Sequence, residues 1–287
     1  MSVTAKVLGV SRSNLYKQRE KKDRSHRYNK ADDAELLPLI KEIISLRSTY
    51  GYRRVRALLN KALAALGRPS VNHKRVYRIM RQHNLLLCRR TAERNGKEHD
   101  GKVETEERNT RWCSDGFEIK CRNGERVRVL FGMDTCDREI MSYAATTGGY
   151  TSDMAQSVML SCLEYRFNRL TAPHPVEWLT DNGSCYRAKE TQEFSAGLGI
   201  RCRFTPVRSP QSNGMAEAFV KTFRRDYVNN HPRPDAQYVL QQLPIWIEDY
   251  NENAPHKGLK MLSPREYIRS LEGEQPTKQP PRMGLED

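Results

Sequence analysis

No apolar run in the 287-residue chain approaches the ~18 residues that cross a bilayer, and no apolar core followed by a small-residue cleavage site opens it. The expectation is therefore a protein with no membrane partner, at work in the cytoplasm. Paired cysteines are missing too. The seven cysteines are odd in number, scattered, and nowhere spaced as CxxC, which excludes a disulfide scaffold and a zinc knuckle and leaves small buried hydrophobes. His174, His231 and His256 show no pairing pattern, although His256 beside Lys257 could touch a polyanion as readily as lie idle on the surface. Internal repeats are absent as well.

What is there is positive charge, unevenly placed. The chain carries 49 Lys and Arg against 35 Asp and Glu, a net of +14. Counting along the sequence puts 26 basic and 12 acidic residues in 1–110 and 23 of each in 111–287, so the whole excess sits in the first part. A basic arm joined to a charge-balanced core suggests nucleic acid handled by the first part and chemistry done by the second.

Five regions follow from the patterning. Residues 1–30 read as a partial helix-turn-helix and a basic linker. Ser11 is a candidate N-cap there, and Arg12, Asn14 and Lys17 face outward as DNA readers. The bland alternative is a basic hairpin with no base contacts, and the first helix of the motif is largely lacking. Residues 31–90 read as a helical DNA-binding domain. Its helices are expected over Ala34–Leu46, with Pro38 in a permissive early turn, then after Gly51, then from an N-cap at Asn72 or Ser70 through Arg81. Val55, Leu59, Val76, Ile79 and Met80 fall inward, while Arg53, Arg54, Lys74, Arg75 and Arg78 fall on other faces and are the candidate DNA contacts. Tyr50 and Tyr52 read as core aromatics. Residues 91–109 read as a polar linker, 110–270 as the core, and 271–287, rich in Glu, Pro and Lys, as a disordered tail.

The core reads as α/β. Strands are expected at 115–119, 125–134, 139–145, 176–180 and 200–204, with helices from Ser152 to Phe167, around Lys189–Gly197, around Glu217, over 235–253 with a break at Pro244, and from Pro264. Three consecutive strands that pair antiparallel, followed by alternating helices and strands, make a mixed five-stranded sheet with flanking helices. In the order 3-2-1-4-5 the first and fourth strands are neighbours, so Asp115 on one and Asp181 at the end of the other can meet. Glu217 lies 36 positions after Asp181, on the first turns of a helix. Two strand carboxylates and one helix carboxylate suit two divalent ions about 3.5–4 Å apart. Oxygen ligands favour Mg²⁺ or Mn²⁺ over zinc. Lys221 and Arg224, four and seven positions on, share the Glu217 face and could grip phosphates or merely form a salt-bridge ladder. Asp134 is the alternative first ligand, less favoured than Asp115 because it reads as a turn cap.

The segments WCSD (Trp112 to Asp115), WLTDNGS (Trp178 to Ser184) and SNGMAEAFVKTFRRDY (Ser212 to Tyr227) together resemble the DDE signature of the retroviral-integrase superfamily. With GYRRV (Gly51 to Val55), KRVYRIMR (Lys74 to Arg81) and SPREY (Ser263 to Tyr267), the chain is more closely similar to OrfB-type transposases of small bacterial insertion sequences, over roughly residues 30–270. The resemblance implies an RNase H-like core in which Asp115, Asp181 and Glu217 bind two Mg²⁺ or Mn²⁺ ions and Lys221 and Arg224 contact the element end. It implies double-stranded DNA as partner, both terminal inverted repeats and target. It also implies a homodimer on DNA, and an upstream-frame partner or fusion that completes the helix-turn-helix. A bacterial, nucleoid-associated location follows. The His-His-Cys-Cys zinc domain of retroviral integrases has no counterpart here. The remaining alternatives are another RNase H-like nuclease, such as a hybrid hydrolase or junction resolvase, and a non-catalytic DNA-binding protein.

Overall fold

The computed structural model describes residues 33–88, 107–205 and 213–273, together with Val7, Ser11 and Thr105. The expected half-motif with Arg12, Asn14 and Lys17, most of the 91–109 linker and the tail from residue 274 lie outside the described residues. The chain divides into two compact units, Met1–Leu86 and Leu87–Asp287.

The first unit holds three helices, α1 (Asp33–Leu46), α2 (Tyr52–Ala65) and α3 (His73–Gln82). Their apolar stripes close on one another: Leu36 and Ile40 from α1, Val55, Leu59 and Leu63 from α2, and Val76, Ile79 and Met80 from α3 form one buried cluster with Tyr50. Asn72 caps α3, its side chain accepting from the Lys74 amide. Pro38 departs from expectation, lying in the interior of α1 rather than in its first turn. Tyr52 is partly rather than fully buried, set edge-on to Tyr77.

The second unit is built on a five-stranded sheet in the order β3-β2-β1-β4-β5, the RNase H-like arrangement. Its strands are β1 (Arg111–Lys120), β2 (Arg126–Asp134), β3 (Ile140–Thr146), β4 (Val176–Thr180) and β5 (Ile200–Phe204). The first three pair antiparallel, and β4 and β5 add on parallel to β1. The helices are α4 (Ser152–Phe167), α5 (Ser184–Arg187), α6 (Lys189–Gly197), α7 (Gly214–Asp226), α8 (Ala236–Asn253) and α9 (Pro264–Glu272). Strand β1 begins four residues earlier than the alternation suggests, because Trp112–Ser114 also pair with β2 on one side and Arg111–Cys113 with β4 on the other. The short helix α5 was not anticipated. Helix α8 runs unbroken through Pro244, although Leu240 and Ile245 stay exposed.

Alternation along the strands sends two sets of side chains to two faces. Trp112 on β1 and Trp178 on β4 are register partners, fully buried, and meet edge to face 6.2 Å apart in the cluster that packs under α4. Cys113, Phe117 and Ile119 point the other way, into a cluster completed by Phe219 and Phe223 of α7 and Trp246 and Tyr250 of α8. Asn251 pins α8 to the sheet by donating to the Ile140 carbonyl and accepting from its amide. Among the described residues, no helix is long and apolar enough to cross a membrane.

Gly132 is the tightest joint between the sheet and α4. A Cβ there would stand 2.5 Å from the Cys162 sulfur and 3.0 Å from the Trp178 ring. We expect Gly132→Ala to cost about 1–3 kcal/mol through overpacking, read as a lowered unfolding midpoint. An unchanged midpoint would mean that the α4 face is looser than its packing indicates.

Candidate active site

Period-two alternation decides where the carboxylates go. Asp115 is two residues beyond Cys113 and two before Phe117, so it shares their face, the one that α7 covers. Asp181 is two beyond Leu179, which packs on the same side. Cys113 pairs with Leu179 across β1 and β4, and carrying that register two residues on sets Asp115 level with Asp181. Asp115 therefore sits at the middle of its strand while Asp181 stands just past the end of the shorter β4. Glu217 is on the first turn of α7, and that helix packs on β1 through Phe219 and Phe223 against Phe117.

Asp115 feels the other two acids. Burial, followed by the charges of Asp181 and Glu217, pushes the Asp115 carboxyl up from 3.8 to about 6, against the Gly116 amide and Arg224, which pull it down. Each acid also has a nearby donor. Asp115 accepts from the Gly116 amide at 2.8 Å, Asp181 from the Gly183 amide at 2.9 Å, and Glu217 from the Lys221 ammonium at 3.2 Å. Among the described residues, no group of three or more His, Cys, Asp and Glu side chains is arranged to hold a metal ion. The acids converge electrostatically without closing into a ligand cage, and the stretch leading into α7, 206–212, lies outside the described residues.

Several supporting residues were invisible as such in the sequence. Asn213 reads there as half of a turn, yet its side chain is buried and donates to the Ser114 carbonyl at 3.1 Å, tying the start of α7 to the residue before Asp115. Ser114 donates to the Phe131 carbonyl and bonds to the Tyr186 hydroxyl from α5 beneath the site. Asn182 donates to the Thr205 carbonyl and accepts from Arg187, holding the turn that follows Asp181. Tyr150, just before α4, lies against Gly116. Burial, with the charges of Glu118 and Asp115, pushes its phenol up to about 12.

The predicted basic residues divide. Lys221 is paired to Glu217 on an exposed face, and Arg224 donates to the Glu118 carbonyl beside the Phe117 ring. In the helical unit Arg75 and Arg78 both clamp Asp33 at 2.6 and 2.7 Å, a half-buried tie between α3 and α1 that the outward-facing pattern did not foresee. Arg54 is stacked on the Tyr50 ring at 3.5 Å, and Arg53 donates to the Tyr52 hydroxyl. Lys74 and Arg53 are exposed. Asp134 is a turn cap, buried, with its two oxygens taken by the Cys136 and Asn109 amides.

Known proteins bear on this geometry. The family "Integrase core domain" matches residues 105–210 and, in a second form, 198–264, and "HTH-like domain" matches 30–93. The helix-turn-helix likeness thus falls on α1–α3. Transposase InsD for insertion element IS2A/D/F/H/I/K of Escherichia coli is 49% identical over 273 residues, covering 94% of this chain and 91% of that protein. Transposase InsD for insertion element IS2-9 of Escherichia coli (strain K12) matches at the same identity, over 89% of its length. Among solved structures, a simian T-cell lymphotropic virus intasome in complex with PP2A regulatory subunit B56 gamma aligns with 86% of this chain and 80% of its own, at 18% identity and TM-score 0.49, too distant to inform the chemistry.

The raised Asp115 carboxyl has a consequence for stability. Its folded-state value lies above its unfolded one, so its favourable contribution is complete below about pH 4 and is lost as the pH rises through about 6. In metal-free protein at about pH 8, Asp115→Asn should stabilise the fold, by on the order of 1–2 kcal/mol once partial solvent screening is allowed for. The advantage should shrink as the pH falls toward 4. Denaturant melts in EDTA across this range test it, and a pH-independent difference would show that burial and the neighbouring charges do not raise the Asp115 carboxyl.

Proposed function

This chain belongs to the family of the InsD insertion-element transposases and is a DNA transposase with an integrase-type core, and on that footing we propose that it cuts the ends of its own element and joins the freed 3′-OH to target DNA through Asp115, Asp181 and Glu217. The observation that carries the assignment is geometric: the β1–β4 register sets Asp115 level with Asp181, and α7 packs Glu217 onto the same face of β1. Three carboxylates from separate segments of the fold repel one another over the central strand β1, at the end of its neighbour β4. Such an arrangement is costly unless cations relieve it.

The donor set fits hard divalent cations, being all oxygen and negatively charged with no sulfur or imidazole among the three residues. Asp115, Asp181 and Glu217 would hold two Mg²⁺ or Mn²⁺ ions. When bound, such ions activate the attacking oxygen and offset the charge that accumulates on the phosphate. The chain's own groups do the rest. Lys221 exchanges its bond to Glu217 for a DNA phosphate, and Arg224 neutralises the strand next to it. Asn213 keeps the first turn of α7 against β1, so that Glu217 stays in range of Asp115. The helical unit holds the terminal inverted repeat through Lys74 and Arg53, while Arg54, Arg75 and Arg78 contribute chiefly by fixing its helices to one another. Two ends have to be brought together for strand transfer, so the working form is a homodimer on DNA, with an upstream-frame partner or fusion adding further contacts. The setting is the bacterial cytoplasm, on nucleoid DNA.

Glu217→Gln preserves the size of the side chain and removes its charge. It should lower 3′-end cleavage and strand transfer roughly a thousandfold or more, with retention of terminal-repeat DNA in a gel-shift assay nearly unchanged. Manganese taken up by the wild type, counted by its paramagnetic resonance signal, should fall in the same variant. A variant that joins DNA as well as the wild type would remove Glu217 from the chemistry.

A further inference from the structure

Beside Asp115 runs an open cleft of about 560 Å³ whose walls include Gly116, Lys120, Tyr150, Arg224 and Arg233. Its position and its lining both point to a nucleic-acid strand. It begins one residue from Asp115, on β1, and continues along that strand to Lys120. Tyr150 reaches it from the segment in which the chain passes from β3 into α4. The ring lies so close over residue 116 that a Cβ there would be 2.8 Å from its Cζ. Glycine at 116 is therefore what lets an aromatic ring lie on the backbone next to Asp115.

The charges around this ring are unbalanced in a telling way. Glu118, the acid on the cleft's wall, is paired with Arg126 and Arg128. Lys120, Arg224 and Arg233 take part in no ion pair among the described residues. An aromatic face flanked by cations outside any ion pair, with Arg224 bonded to a carbonyl only, is the combination that holds a single strand: bases stack on the ring, and phosphates follow the positive wall.

We propose that Tyr150 is a strand-positioning residue for the transposition reaction, its ring the platform for the base next to the scissile phosphate, with Arg224, Arg233 and Lys120 taking the phosphates beyond it. This rests on the assignment of Asp115 to the reaction and extends it. Stacking fixes how far the strand advances along β1, and so which phosphodiester lies at Asp115.

A duplex of the element's own terminal repeat, with 5-iododeoxyuridine next to the cleavage position, supplies the test. On irradiation the wild-type chain should crosslink through Tyr150, as mapped by mass spectrometry of the peptide. Asp115→Asn should crosslink equally while cleaving nothing. Tyr150→Phe, which keeps the ring, should cleave at the wild-type position. Tyr150→Ala should lose about tenfold to a hundredfold in cleavage efficiency and should cut at scattered positions. Replacing the same base by an abasic site should penalise the wild type by a similar factor and Tyr150→Ala hardly at all. A crosslink that maps away from Tyr150, or an abasic penalty equal in the wild type and Tyr150→Ala, would overturn the proposal and leave the role of Asp115 standing. Cleavage by Asp115→Asn at the wild-type rate would instead overturn the catalytic assignment, with the crosslink still able to judge Tyr150.

Discussion

Mutual repulsion among three carboxylates is the constraint around which the larger unit is arranged. Asp115, Asp181 and Glu217 come from the middle of one strand, the end of its parallel neighbour and the first turn of a helix, and burial together with the other two charges lifts the first to about 6. Nothing local draws these groups together. Their proximity is imposed by packing: the edge-to-face tryptophan pair locks β1 to β4 on one side of the sheet, and Phe117, Phe219 and Phe223 press α7 onto the other. Asn213 and the Ser114–Tyr186 contact then hold the local backbone where the aromatic clusters put it. Aromatic burial is the natural source of the compensating energy, since such side chains combine large area with defined geometry.

A second group of acids in the same unit shows the opposite solution. Asp137 and Glu139 are buried near the turn between β2 and β3, and each is bonded to Arg166, with Arg108 added on Asp137 and Arg265 on Glu139. Those guanidiniums join α4, α9 and the segment before β1 to one point of the sheet. Carboxylates so completely paired are scaffold, because taking a partner from any of them would strand a buried charge. Among the described residues, the Asp115 group has the exposed Lys221 and the more distant Arg224 to set against three negative charges. This difference in pairing separates acids that build the fold from acids that no buried guanidinium holds. It also removes Asp134 from contention, since backbone amides occupy both of its oxygens.

The helical unit follows the same logic at smaller scale. Its surplus of arginine looks in the linear chain like one long phosphate-binding face. Folding converts part of it into internal ties, Arg75 and Arg78 to Asp33 and Arg54 to the Tyr50 ring, and leaves Lys74 and Arg53 outward. Helical periodicity reports the direction in which a side chain leaves its own helix. It cannot report an acid contributed by another helix 42 residues earlier.

Much of the core was legible because its signals are local or strictly periodic. The helix from Ser152 to Phe167, the strands at 176–180 and 200–204, and the start of the last helix at Pro264 each depend on a few neighbouring residues, and the antiparallel pairing of β1, β2 and β3 follows from their short connections. The two tryptophan-acid segments announced Asp115 and Asp181 as strand residues, and alternation alone put both on the face opposite the tryptophans. Where a departure arose, a contact distant in sequence was responsible: β1 lengthened because β2 and β4 offered partners to Arg111–Ser114, and α8 ran through Pro244 because its neighbours Leu243, Trp246 and Ile247 are held by the core. The amino-acid sequence by itself thus determined most of the elements and the division of charge, and it singled out three acids as candidates. Only the tertiary structure decided that Asp115 is buried within reach of the charges of Asp181 and Glu217, that Asn213 and Tyr186 brace the backbone there, and that Tyr150 rests on Gly116, because each of these depends on a distance across space that no spacing along the chain encodes.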